Sequence, residues 1–134
     1  MKRIVIATIL VLSLFIIKIP KYIELNNLAI IESIGINYKD KNYEIYLKEI
    51  IPYRSDQGIA YKYKYYNNKA PSIKKALEKI EKNINKKLYL NKLKLIIIDN
   101  NHKKKIKKDL TYKAKNYTYT NKNIKKVIRK QSNY

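Results

Sequence analysis

Apolar and polar residues recur along this chain with several different rhythms, and each rhythm predicts an element. Residues 4–17 form one apolar run interrupted only by Thr8 and Ser13, with Lys2 and Arg3 before it and Lys18, Ile19 and Pro20 after it. A basic start, an apolar stretch and a polar exit make the layout of a secretory signal. At ~1.5 Å per residue the run spans about 21 Å against the ~30 Å hydrocarbon core, so as an anchor it needs Lys18 to snorkel and the bilayer to thin. The sequence Phe15-Ile16-Ile17-Lys18-Ile19 offers no small-residue cleavage site. The expectation is therefore an uncleaved hydrophobic anchor helix over residues 1–20, followed by one folded domain over residues 21–130 and a polar tail at residues 131–134. The rival reading, a buried N-terminal helix of a soluble protein, is the weaker one because nothing else in the chain is apolar enough to sheathe it.

Beyond Pro20 a short polar turn of helix leads into an isoleucine-dense segment, residues 28–37, which reads as a strand with Leu28 and Ile30 in the core, followed by a turn at residues 38–42. The next segment alternates with period two and places Tyr43, Ile45, Leu47 and Glu49 on one face, so the two strands should pair as an antiparallel hairpin. Pro52 cannot donate to a ladder and is expected to close the second strand. Residues 53–60 read as a loop. Tyr61, Tyr63 and Tyr65 then share one face of a strand, a row expected to face the core, with Lys62 and Lys64 on the other. The clearest helix starts at Pro71-Ser72 with Ser72 as N-cap. Its apolar stripe, Ile73, Ala76, Leu77, Ile80, Ile84 and Leu88, recurs at helical spacing, and Glu78 stands four residues before Lys82. Residues 93–98 fit a central buried strand closed by Asp99-Asn100-Asn101. Residues 102–116 suggest a lysine-laden helix turning Ile106, Leu110 and Ala114 inward, and residues 123–130 fit strand or helix equally. The class implied is α+β: a small mixed sheet, built from the N-terminal hairpin and further strands, with one main amphipathic helix packed on it.

Composition changes this picture in two places. The 134 residues carry a formal net charge of +21, which raises nucleic acid as a partner. Yet the cations are almost all lysine, with Arg3, Arg54 and Arg129 the only arginines, whereas base edges and phosphates are preferentially gripped by the planar guanidinium fork. Over-use of Lys, Ile, Asn and Tyr is what an AT-rich coding bias produces, so the charge reads as a solvated lysine surface. On a membrane the same lysines would attract anionic head groups. Stacking of the tyrosine strand on single-stranded bases is the weaker reading of its aromatic-basic alternation. There is no cysteine, which removes disulfides, thiolate nucleophiles and Cys-based metal sites.

Candidate chemistry is sparse. The only glycines are Gly35 and Gly58, so no glycine-rich phosphate loop exists. His102 is the only histidine. A base role needs an orienting carboxylate that the sequence does not place beside it, so an exposed loop histidine is expected. The carboxylates, among them Glu24, Glu32, Glu44, Asp99 and Asp109, show neither metal-ligand spacing nor glycosidase-like pairing. No catalytic, cofactor-binding or metal site is predicted.

The stretch Glu24-Leu25-Asn26-Asn27-Leu28-Ala29-Ile30-Ile31-Glu32-Ser33-Ile34-Gly35-Ile36-Asn37 resembles the opening of the Ger(x)C family, the C-subunit lipoproteins of nutrient germinant receptors. Glu49-Ile50-Ile51-Pro52 is similar to that family's second strand and its exit. Leu88-Tyr89-Leu90-Asn91-Lys92-Leu93, running on to Ile98, is similar to its element between helix and strand. The motif positions Glu24, Leu25, Asn26, Leu28, Ala29, Gly35, Pro52, Leu88, Tyr89 and Leu93 read as structural. Gly35 suits a bulge or a close approach, and Asn26 and Asn27 suit local backbone hydrogen bonds. The resemblance implies a non-catalytic accessory protein of spore germination, held on the extracytoplasmic face of the cell or inner spore membrane and contacting polytopic receptor subunits. Members carry a lipobox cysteine, absent here, so the hydrophobic segment is expected to serve as the tether. Members also run to several domains, whereas this sequence stops near the end of the first. The rival readings are a membrane-anchored basic protein binding an anionic polymer, cell-wall polymer or nucleic acid, and a truncated relative with no retained function.

Overall fold

The structure, a computed structural model, describes residues 25–131. The expected anchor over residues 1–20 lies outside them, as do Glu24 and most of the tail. A 3-10 turn at Leu25–Asn27 leads into a meander of three strands, β1 (Leu28–Lys39), β2 (Asn42–Ser55) and β3 (Gly58–Ala70). The first connection is a two-residue turn at Asp40 and Lys41, both with positive φ (52° and 60°), the backbone that matches strand twist in tight hairpins. The second turn brings Ser55 opposite Gly58, whose φ of 120° is glycine territory.

Residues 53–60 are therefore strand and turn, not the expected loop, and Pro52 does not close β2. Pairing of β2 with β1 ends at Ile31 opposite Glu49, while pairing with β3 continues through Pro52 opposite Tyr61 to the turn. Beyond residue 49, β3 is the one described strand that pairs with β2, and a missing N–H directed away from β3 costs no bond of that ladder.

The helix α1 (Ile73–Ile84) starts at Ser72, whose Oγ accepts from the Lys75 N–H at 3.2 Å. It ends at Asn85 in the left-handed conformation. Leu88 is consequently not the last member of the helical stripe. It sits in β4 (Lys87–Tyr89), which pairs in parallel with the first residues of β1. Glu78 pairs at 3.9 Å with Lys74, four residues before it, and not with the expected Lys82. Then come β5 (Leu95–Asp99), a 3-10 turn (Asn100–His102), α2 (Lys103–Asp109), β6 (Asn116–Thr120) and α3 (Ile124–Lys130). The main sheet runs β3-β2-β1-β5-β6, with β1, β5 and β6 parallel. The six-stranded mixed sheet and its helices are the α+β class read from the sequence.

Two apolar clusters lie on opposite faces of this sheet. On one face Ala29, Ile31, Ile34, Ile36, Ile45, Leu47, Ile96 and Ile98 meet Ala76, Leu77 and Ile80 of α1 and Ile106 of α2. On the other, Ile124 and Ile128 of α3 cover Ile97, Tyr46 and Tyr65. Each fully buried isoleucine contributes about 1.5–3 kcal/mol. A register shift between Ile31 and Ser33 flips the side-chain parity of β1. Ala29 and Ile31 are therefore buried while Leu28 and Ile30 are half-buried, the reverse of the expected assignment. The tyrosine row is corrected in the same way. Tyr66, paired with Leu47, faces the main core, whereas Tyr61, Tyr63 and Tyr65 line the other face and Tyr61 is 54% exposed.

Candidate functional site

The parallel strands β1, β5 and β6 end at one edge of the sheet, where ligand sites of open sheets with parallel strands gather. A cleft of about 440 Å³ opens there, lined in part by Asn37, Tyr38, Glu44, Asp99, His102 and Asn123. Asp99, the last residue of β5, is buried. Its Oδ1 accepts from the Asn101 N–H at 3.3 Å, and its Oδ2 lies 2.7 Å from His102 Nδ1. An ionised carboxylate only accepts, so Nδ1 carries the ring proton and the tautomer is fixed. Tyr38 meets the imidazole edge-on at 5.4 Å between ring centres. His102 is exposed, as expected, but its ring is oriented by a carboxylate three residues earlier, brought beside it by the turn after β5. Side chains of this kind can hydrogen-bond a small polar group. Among the described residues, no serine, threonine or cysteine lines the cleft, and no group of three His, Asp or Glu side chains is placed to hold a metal.

A second concentration of polar side chains marks the place where the β2–β3 ribbon leaves the sheet. Lys48 and Glu49 are neighbours in sequence, point to opposite faces, and are 3% and 1% exposed. On the α3 side Lys48 Nζ lies 2.7 Å from Glu32 Oε2 and 4.1 Å from the centre of the Tyr63 ring. Glu32 sits at the bulge of β1, and its Oε1 accepts from Lys94 Nζ at 2.8 Å. Burial acts to raise the pKa of the Glu32 carboxyl, but hydrogen bonds and charge from Lys48 and Lys94 outweigh it and hold the pKa below 4.5. On the α1 side the Tyr66 hydroxyl donates to Glu49 Oε2 at 2.5 Å, and Lys86 Nζ stands 3.5 Å from Oε1. Burial, with Glu49 as acceptor, pushes the Tyr66 phenol well above its usual range. Tyr43, donating to Asp109, is raised for the same two reasons. Tyr46 is pushed up to about 12 by burial and by Glu44.

The positions of the linear family motif scatter over the fold. Ala29 is fully buried, Leu93 is buried, Leu28, Leu88 and Tyr89 are half-buried, Asn26 and Pro52 are exposed, and Leu25 lies in the opening 3-10 turn. Gly35 alone has a sharp role: a Cβ built there would run into Ile124 Cγ2, so the close approach expected of it is that of α3, while the bulge falls three residues earlier. The pairing of Glu32 with Lys48 is not evident from the sequence. A lone glutamate between Ile31 and Ile34 is the one available signal.

The architecture is that of a small mixed-sheet domain whose buried charges hold strands together. The family described as "Spore germination protein N-terminal domain" matches residues 21–129, and the chain belongs to it. No curated protein and no solved structure gives a significant match. Membership assigns the protein a germination-related role. No helix of the described residues is long and apolar enough to cross a membrane, and the apolar run at residues 4–17 lies outside them.

Proposed function

We propose that this protein is a non-catalytic accessory subunit of a nutrient-germinant receptor-like complex, tethered by its N-terminal apolar segment and presenting its sheet domain on the extracytoplasmic side to polytopic receptor subunits. The observation that carries the reading is the family match over residues 21–129. Support comes from residues 4–17, apolar and flanked by cations, which suit a membrane anchor, and from the polar groups of the domain. Glu32, Lys48, Glu49 and Tyr66 are committed to one another inside the fold, as expected of a scaffold. The motif positions Ala29, Gly35 and Leu93 serve packing on this reading.

The test is genetic and biochemical. Spores lacking the protein should germinate more slowly in nutrient and be restored by the full chain but not by a chain lacking residues 1–20, and capture of the protein from detergent-solubilised membranes of spores that carry it should bring down polytopic receptor subunits. Unchanged nutrient germination together with capture of no receptor subunit would overturn the proposal.

A further inference from the structure

The β2–β3 ribbon carries a feature that scaffolding does not require. From Ile50 onward β2 pairs with no described strand other than β3. Six residues from there to Ser55, at ~3.3 Å each, carry the turn about 20 Å past the last β1–β2 pair. Its end is apolar and uncovered: Ile59 is 74%, Tyr61 54% and Tyr53 40% exposed. Tyr53 stands opposite Ala60 on one face of the ribbon, and Arg54 opposite Ile59, next to Tyr61, on the other, so apolar groups are presented on both faces of the tip. Cations surround it, with Arg54 beside Ile59, Lys64 further down the strand, and Lys62 Nζ 4.6 Å from the centre of the Tyr53 ring. Asp56 in the turn is the one acid of the segment between residues 50 and 64. Tyrosine rings and an aliphatic side chain ringed by Lys and Arg suit the boundary between lipid head groups and acyl chains.

Position in the fold says which surface the tip meets. Because β1 and β2 are antiparallel, the ribbon leaves the sheet at the end where β1 begins. The chain enters the domain at that same end, through Leu25–Asn27. Seven residues, 18–24, separate the apolar run from Leu25, and fully extended they span at most about 25 Å. That reach is comparable to the projection of the ribbon, so a membrane holding residues 4–17 lies within range of the tip. The ribbon is also stiffened at its root on both faces, by Lys48 with Glu32 and by Glu49 with Tyr66.

We infer that the ribbon tip, Tyr53, Arg54, Ile59, Tyr61 and Lys62, is a second membrane contact that docks on the anionic lipid surface and sets the orientation of the domain. The inference rests on the tether of the proposed function, and the two are separated by different readouts. The chain has no cysteine, so Ile59→Cys and, at the opposite end of the sheet, Asn121→Cys each give a single site for an environment-sensitive fluorophore. Both positions are exposed. Labelled full-length protein is mixed with phosphatidylglycerol-containing vesicles at low salt, with nitroxide-bearing lipids as quenchers. The expected result is a blue shift and loss of most emission at position 59, neither at position 121, and a marked fall of the quenching at 59 on purely phosphatidylcholine vesicles. No quenching at 59, equal quenching at both positions, or full quenching on phosphatidylcholine overturns the inference; the first of these outcomes assigns the tip to a protein partner. The tether is read separately, by flotation of unlabelled protein with phosphatidylcholine vesicles in high salt. Failure to float there with quenching retained on anionic vesicles removes the tether and leaves the ribbon contact standing.

Discussion

At the residue scale, two positions decide how the sheet is covered and held. Gly35 admits Ile124, and any larger side chain collides with a buried, β-branched neighbour. Gly35→Ala should therefore cost about 1–3 kcal/mol through overpacking. Trimming the neighbour in the double variant with Ile124→Ala should return part of that loss, a non-additivity that urea unfolding of the four proteins would measure. Glu32 poses an electrostatic problem. Removing its charge leaves Lys48 buried without its counter-ion, so Glu32→Gln should destabilise by about 3 kcal/mol. The pKa of Glu32 is lower folded than unfolded. Its contribution is therefore complete above pH 4.5 and disappears as pH falls through the depressed folded value. Acid titration of stability should show a shallower slope below pH 4.5 in Glu32→Gln than in the wild type; equal slopes would mean that Glu32 makes no such contribution. In the sequence Glu32 is legible only as an oddity among isoleucines, since its partners Lys48 and Lys94 lie 16 and 62 residues away.

At the element scale, agreement between sequence pattern and structure follows the range of the interactions involved. The helix α1 starts where Ser72 predicts because capping is a contact over three residues. Ser72→Ala should lower stability by about 1 kcal/mol in thermal or denaturant unfolding, with the helix start otherwise kept. Its end differs from the pattern because Leu88 continues the helical spacing by coincidence, while Asn85 in the left-handed conformation turns the chain into β4. The tip of the β2–β3 ribbon has the local look of a loop because Pro52 and Gly58 are strong breakers, yet pairing partners aligned from Tyr43 opposite Ala70 onward overrule both. β6 is hidden within a lysine-rich stretch; Tyr117 and Tyr119 alternate with Thr118 and Thr120, a rhythm too short to stand out. Residues 124–130, ambiguous in pattern, are helix because Ile124 and Ile128 are both required against Ile97 and Tyr46.

At the scale of the whole molecule, the described residues carry apolar clusters on both faces of one sheet, and α3 closes the second face late in the sequence. A fragment of residues 21–134 should therefore unfold in a single cooperative transition, with tyrosine fluorescence and far-UV circular dichroism coincident. Two separated transitions, or none, would show that the N-terminal segment is needed for folding and would favour the reading of a degenerate relative. The sequence by itself determined the α+β class, the main helix with its cap, the first hairpin, the buried strand β5 and the family, because periodicity, caps and turns are local and the motif is linear. Only the tertiary structure decided which tyrosines face the core, that Gly35 receives α3, that Asp99 orients His102, and that the ribbon projects from the end where the chain enters. The Asp99–His102 contact is set by the turn after β5; the others depend on strand pairing, register or a bulge, and one residue of shift in register exchanges the two faces of a strand.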